Sequence, residues 1–227
     1  FISNGIFGYV GHDAVDRFEN IELDKKKPGS DIPDIYYAVY QNIIAISLFN
    51  HEAHLFSHIY NGDHNLNDVK ALLTAKKNSH FNFKKVGEKS SNLSDEQFIE
   101  FVKKGKDHCH RGDVFQLVLS RRFSQGFKGD EFNVYRTLRS INPSPYLFFF
   151  DYGYFRIFGS SPEAQLIVQD SKAEIHPIAG TFRRTGDDEK DSKAAEALAK
   201  DPKENSEHVM LVDLARNELS RNGSKVE

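Results

Sequence analysis

Asn142-Pro143-Ser144-Pro145-Tyr146-Leu147-Phe148-Phe149-Phe150-Asp151-Tyr152-Gly153-Tyr154-Phe155-Arg156-Ile157-Phe158 is the stretch that decides the fold. Its prolines stop the preceding helix, because proline offers no N–H and constrains the residue before it. Two aromatic-rich runs follow, Tyr146–Phe150 and Tyr154–Phe158, parted by Asp151-Tyr152-Gly153. That spacing predicts a hairpin. A second hairpin is predicted from Ala164–Gln169 to Ala173–Ile178, turning at Asp170-Ser171. Strands that fold straight back are antiparallel, so the chain reads as α+β, with mostly antiparallel sheets packed with helices.

Working upstream, Asp130 caps a predicted helix whose apolar face is Phe132, Tyr135, Leu138 and Ile141. Val114–Phe123 is predicted as a strand. Ser94 and Gln97 have capping-box spacing, with Asp95 and Glu96 in the first turn of a helix that carries Phe98, Phe101, Val102 and Gly105 and stops at Gly112-Asp113. The polar residues 77–93, with Ser90-Ser91-Asn92, read as a linker. Before it, residues 1–76 read as a β-rich part. Its strands are expected at Ile35–Tyr40, Ile43–Asn50 and Ala53–Tyr60, with His51-Glu52 as a tight connection, Asn61-Gly62-Asp63 as a turn and Leu66–Lys76 as a helix. Gly5, Gly8 and Gly11 lack the dinucleotide-loop spacing and suit close backbone packing beside a strand instead.

Downstream, a helix is expected over 191–200. A last helix starts at Asp201 as cap, with Pro202 and Glu204 in its first turn, and runs to about Arg221 before Asn222-Gly223. The three parts are then 1–76, the linker 77–93, and 94–227.

The 227 residues carry 30 basic and 33 acidic side chains, a formal net charge of −3. Nucleic-acid binding needs a clustered cationic face, and the runs Lys25-Lys26-Lys27 and Lys84-Lys85 are too short to make one. No apolar run has the roughly 20 residues of a membrane span. The single cysteine, Cys109, excludes an intramolecular disulfide and suits a cytoplasmic location. Its neighbours His108 and His110 point apart on a helix, so the three do not converge on one metal ion. The chain starts at Phe1 and stops after Lys225-Val226-Glu227, and both ends read as cut.

Several residues can carry chemistry. Glu204, Glu207, His208 and Leu211 share one face of the last helix. Two carboxylates there can offer oxygen to a hard cation such as Mg²⁺, although acids in a first turn also answer the helix dipole. Glu163, in Gly159-Ser160-Ser161-Pro162-Glu163, is a general acid if an apolar cleft holds it and a plain turn residue otherwise. Gly180 and Thr181, ending His176-Pro177-Ile178-Ala179-Gly180-Thr181, allow a ligand close to the backbone, or simply turn the chain out of a sheet. Gln116 is the polar residue inside Val114–Leu119. If buried, its amide either closes a structural network or meets a ligand.

Taken together, these stretches resemble the chorismate-binding enzyme family. Gly112–Ser120 is similar to its GDIFQVVLS segment and Asn142–Phe149 to NPSPYMFF. Gly159–Glu163 matches GSSPE, Pro177–Thr181 matches PIAGT, and Asp201–Asn217 is similar to DPKERAEHLMLVDLGRN. Gly5–Glu19 is similar to GGAVGYLGYDAVRYFE. The order is kept over almost the whole chain.

The resemblance implies roles. Glu207, with Glu204 nearby, would hold Mg²⁺ against the carboxylate of chorismate. Glu163 would protonate the departing C4 hydroxyl. Ala179, Gly180 and Thr181 would contact substrate, and Pro145, Tyr146 and Leu147 would line a pocket for L-tryptophan, the feedback inhibitor.

Relatives that add water carry a lysine base at the place of Gln116, among the catalytic positions. Many that aminate C4 carry a nucleophilic lysine at the place of Ala179. Their absence implies the anthranilate synthase large subunits. These make anthranilate and pyruvate from chorismate and ammonia, in tryptophan biosynthesis, with a glutaminase subunit (component II) as the ammonia source. The alternatives are an aminodeoxychorismate synthase without its lysine, or a non-catalytic module that binds tryptophan or the partner. The family also continues past Glu227 and before Phe1, so the isolated polypeptide is expected to be inactive and to bind Mg²⁺ and tryptophan poorly.

Overall fold

The computed structural model describes residues 3–23, 31–62, 64–75 and 81–226. Expectations for Lys25, Lys26, Lys27, Asp63 and 76–80 fall outside them. The chain divides into two units. One holds residues 1–133 and 150–156; the other holds 134–149 and 157–227.

In the first unit, β1 (Phe7–Val10) pairs antiparallel with β2 (Ile35–Ala38), placing Gly8 opposite Tyr37. A Cβ at Gly8 would collide with the Tyr36 carbonyl oxygen, so the expected close packing is real. Gly11 extends the contact by donating its N–H to the Asp34 oxygen at 2.6 Å. A short 3₁₀ segment, His12–Arg17, follows and buries Ala14. β3 (Asn42–Ser47) and β4 (Glu52–Ser57) form a hairpin whose turn sets His51 at φ 55°. α1 covers Leu66–Thr74.

α2 (Asp95–Arg111) has the full capping box. Gln97 N–H donates to Ser94 Oγ at 3.2 Å, and Ser94 N–H donates to Gln97 Oε1 at 2.9 Å. Gly112 closes the helix at φ 78°, a conformation that costs glycine nothing.

Two expectations fail around this helix. Residues 84–91, placed in a linker, form β5 (Lys84–Ser91), which pairs antiparallel with β6 (Phe123–Lys128). Both faces of β5 are exposed, so it shows no apolar alternation to read. Conversely, Val114–Phe123 is no strand: only Phe123 belongs to one. The apolar run is there, but a strand also needs a ladder of backbone bonds, and residues 114–122 belong to none among the described residues; Arg122 meets a neighbour through its oxygen, which accepts Asn92 N–H at 3.1 Å.

The unit's aromatic centre is Phe155, one of two buried apolar residues among those described. The rings of Tyr152 and Tyr154 lie 4.9 and 4.7 Å from it, and Tyr36 lies 4.4 Å from Tyr152. Tyr9 donates its hydroxyl to the Pro33 oxygen at 2.7 Å. Burial pushes the Tyr9 and Tyr152 phenols upward.

α3 (Phe132–Ile141) is capped as expected, with Phe132 N–H on Asp130 Oδ1 at 3.0 Å. The opening stretch is the predicted hairpin, β7 (Tyr146–Asp151) with β8 (Arg156–Ser161). Gly153 turns it at φ 87°, its N–H on Asp151 Oδ1 at 2.8 Å.

In the second unit, Tyr135 of α3 rests on Phe149 and Phe158, ring centroids 5.4 and 6.2 Å away. β9 (Ile167–Gln169) and β10 (Lys172–Glu174) are the second predicted hairpin, and Asp170 and Ser171 both adopt positive φ. That is the turn whose twist matches two-residue hairpins. α4 (Asp188–Lys200) and α5 (Pro202–Ser220) complete the unit and lie against each other. Helices and antiparallel strands together make the chain α+β, as expected. No helix among the described residues is long and apolar enough to cross a membrane.

Candidate active site

α5 starts where its sequence says it should. Asp201 accepts the N–H groups of Lys203 and Glu204 at 2.9 and 3.0 Å, and Pro202 needs no acceptor. Along the helix, Glu204, Glu207, Leu211 and Ala215 are half-buried, while His208 is exposed. The shielded stripe therefore begins with two carboxylates, where an amphipathic helix normally places apolar side chains. The Glu204 side chain is only 20% exposed, and its Oε1 lies 3.5 Å from Lys203 Nζ. Partly desolvated carboxylates call for cationic or hydrogen-bonding partners.

Gly180 lies against this carboxylate. It has φ 59°, and a Cβ there would run into Glu204 Oε2 and come within 3.1 Å of Leu198 Cδ1. Left-handed backbone and lack of space both demand glycine. Ala179 is half-buried and Thr181 exposed on either side of it. The structure thus joins the segment 177–181 to the first turn of α5, two motifs that the sequence offered separately.

Beyond Thr181 the chain has no regular structure until α4. Asp191, in the first turn of α4 with a side chain 11% exposed, gathers that connection. Its Oδ1 accepts Thr185 N–H at 2.7 Å and Thr185 Oγ1 at 2.8 Å. Its Oδ2 accepts Gly186 N–H and Arg184 Nε, both at 3.3 Å. The Thr185 backbone N–H, then its hydroxyl, hold the Asp191 carboxyl below the usual carboxylate range. A cavity of about 440 Å³ lies here, lined by Phe182, Arg183, Asp191 and Leu198 among others.

A second junction joins the 142–149 and 159–163 segments. Ser160 Oγ donates to the Asn142 oxygen at 2.6 Å and lies 2.6 Å from Ser144 Oγ. Gly159 faces the Phe148 ring, where a Cβ would approach to 2.7 Å. Pro145 and Tyr146, next to this link, are exposed, and Leu147 is half-buried. Glu163 is exposed, in the connection from β8 to β9, with Ser161 Oγ bonded to its backbone N–H and oxygen. The described residues leave Glu163 in an exposed turn and form no apolar cleft around it.

Gln116 is exposed too, so the described residues do not meet the condition of a buried amide. Leu117 and Leu119 turn towards α2, where a Cβ on Gly105 would come within 3.0 and 3.6 Å of them. The neighbouring positions are left open, Phe115 at 95% and Val118 at 84% exposed.

His108 bonds Asp113 Oδ2 at 2.8 Å through Nδ1, and Cys109 is exposed. No cluster of three or more His, Cys, Asp or Glu that could hold a metal ion occurs among the described residues. Mg²⁺ does not require one, since one or two carboxylates plus water and substrate oxygens complete its shell. Glu204 and Glu207 fit that donor set.

Asp191, Ser144 and Ser160 escaped the sequence reading. Asp191 had a signal, an acid in a first helical turn just after Thr185-Gly186-Asp187. The serine pair had none, because hydroxyl contacts between distant loops leave no periodicity.

A family model described as chorismate binding enzyme matches residues 1–227. Anthranilate synthase component 1 of Aquifex aeolicus (strain VF5) is 36% identical over 231 residues, 96% of this chain and 47% of that protein. The same component from Lactococcus lactis subsp. lactis (strain IL1403) is 34% identical over 232 residues, 96% and 50%. The crystal structure of anthranilate synthase component I from Streptococcus pneumoniae TIGR4 superimposes with TM-score 0.79 at 31% identity, covering 96% of this chain and 50% of that one. The chain spans about half the length of the curated relatives it matches. On the full-length family match, this chain belongs to the chorismate binding enzyme family.

Proposed function

We propose that the chain carries part of the ammonia-adding site of an anthranilate synthase component 1. The observation that carries this reading is the approach of Gly180 to Glu204, on a helix face that also holds Glu207. It puts a ligand-permissive backbone beside one shielded carboxylate, with a second half-buried carboxylate one turn further along the helix. Similarity to proteins named anthranilate synthase component 1 over most of the chain supports the choice within the family. Gln116 and Ala179 support it as well, since neither supplies the basic or nucleophilic amine that water addition or a covalent route needs.

Glu207 and Glu204 are the residues that would hold Mg²⁺. When bound, that ion would neutralise and orient the carboxylate of chorismate. Gly180 and Thr181 offer backbone N–H and hydroxyl donors to the same substrate. By the family resemblance Glu163 would be the proton donor to the C4 hydroxyl, which would leave as water while ammonia adds at C2. The C3–oxygen bond to the enolpyruvyl group then breaks, pyruvate departs, and loss of the C2 proton makes the ring aromatic. Ammonia would come from a component II glutaminase, L-tryptophan would bind near Pro145, Tyr146 and Leu147 as inhibitor, and the setting would be the cytoplasm.

The test is product identification. The complete reading frame containing these residues, given chorismate, ammonium and Mg²⁺, yields fluorescent anthranilate. Isochorismate or aminodeoxychorismate as the sole product, or no turnover at all, overturns the reading.

A further inference from the structure

We propose that Asp191 is a positioning residue that fixes the loop 180–186 and thereby holds Gly180 against Glu204. The inference rests on the reading of Gly180 and Glu204 as part of a chorismate site, but the contacts themselves do not.

The loop is anchored at two points. At one, Gly180 is wedged between Glu204 and Leu198. At the other, Asp191 accepts four donors from Arg184, Thr185 and Gly186. Thr185 Oγ1, while donating to Asp191, also accepts Asp187 N–H at 3.3 Å, and Asp187 in turn caps α4 by accepting Lys190 N–H at 3.1 Å. The clasp thus locks the loop to the start of the helix. Leu198, near the end of that helix, lies 3.1 Å from where a Cβ on Gly180 would sit, so α4 takes part in both anchors, with Glu204 of α5 completing the first. Between them the loop has no ladder or helical bond to hold it, and Phe182 and Arg183 line the cavity.

Charge and shape both matter at this position. An ionised carboxylate has two acceptor oxygens and no donor, which is what two backbone N–H groups, one hydroxyl and one guanidinium require. Asparagine keeps one acceptor and sets an amide donor against Gly186 and Arg184. Alanine leaves all four donors without their acceptor.

The test uses Asp191→Ala, Asp191→Asn and Asp191→Glu in the complete reading frame. Amide hydrogen exchange is followed at Thr185, Gly186 and the flanking loop, beside the exchange of α5. The expected result is exchange at Thr185 and Gly186 faster by at least about tenfold in Asp191→Ala, less so in Asp191→Asn, with α5 unchanged. Steady-state kinetics are expected to show KM for chorismate raised about tenfold in Asp191→Ala with kcat lowered less, and partial recovery in Asp191→Glu. Exchange within twofold of the parent protein overturns the clasp. Faster loop exchange with unchanged KM overturns its role in holding Gly180 for substrate. If the parent makes no anthranilate, the proposed function fails while the exchange comparison still decides the clasp.

Discussion

Residues 112–122 and residues 177–207 both carry family motifs, yet they are held in different ways. The first segment lies along α2 through Leu117 and Leu119 and leaves Phe115, Gln116 and Val118 to solvent. The second is pinned by Asp191 at its middle, by the Gly180–Glu204 approach before it, and by the Asp201 cap after it. A segment whose polar groups find partners within a few residues fixes its own shape. A segment that needs a sheet neighbour waits for one, whatever its apolar pattern. On this contrast, substitutions in the second region should disturb function, stability or both, while those in the first should leave stability alone.

The largest effect expected is that of Glu207→Gln, which removes one charge from the shielded stripe. Anthranilate formation by the complete reading frame should fall on the order of 10²-fold, with thermal unfolding unchanged. An unchanged rate would favour a non-catalytic module. Gly180→Ala comes next: positive φ and the clash with Glu204 should cost about 1–3 kcal/mol in denaturant unfolding and raise KM for chorismate. Asp201→Ala should lower stability by about 1 kcal/mol, the usual worth of an N-cap, read by urea titration of helical circular dichroism.

A smaller effect concerns pH. The Asp191 carboxyl is depressed in the folded chain, so its contribution is present above the ordinary carboxylate pKa and lost as pH falls through the lower folded value. Exchange protection at Thr185, corrected for intrinsic rates, should decline over that acid window. Smallest of all, Gln116→Ala should shift stability by less than about 0.5 kcal/mol, because the side chain is exposed. A larger loss would show that residues 112–122 are held more firmly than this contrast allows.

The same logic explains what could be read from sequence alone. Ser94 with Gln97, Asp201 with Pro202, Gly112, and the turns at Gly153 and Asp170-Ser171 were all legible, since each signal lies within the element it defines. β5 was missed because its exposed polar side chains resemble a linker, and its identity comes from β6 far along the chain. The strand expected at Val114–Phe123 is the opposite error: the pattern was there, but the neighbour was not. For the site, Gly180, Glu204 and Glu207 were legible through helical spacing and a small-residue motif. The approach of Gly180 to Glu204 was not, because it depends on how α4 returns the chain past Asp191.

The pairing of β5 with β6 also sets an order of events. Lys84 meets Lys128 only after the whole of α2 has been laid down between them, so the ribbon closes a long loop. The hairpins β3–β4 and β9–β10 close short ones. Local contacts form fastest and long closures last, so α2, started by its own capping box, serves as the rigid spacer across which the ribbon zips. Pulse-labelled hydrogen exchange during refolding should find the amides of α2 protected before those of Lys84–Ser91.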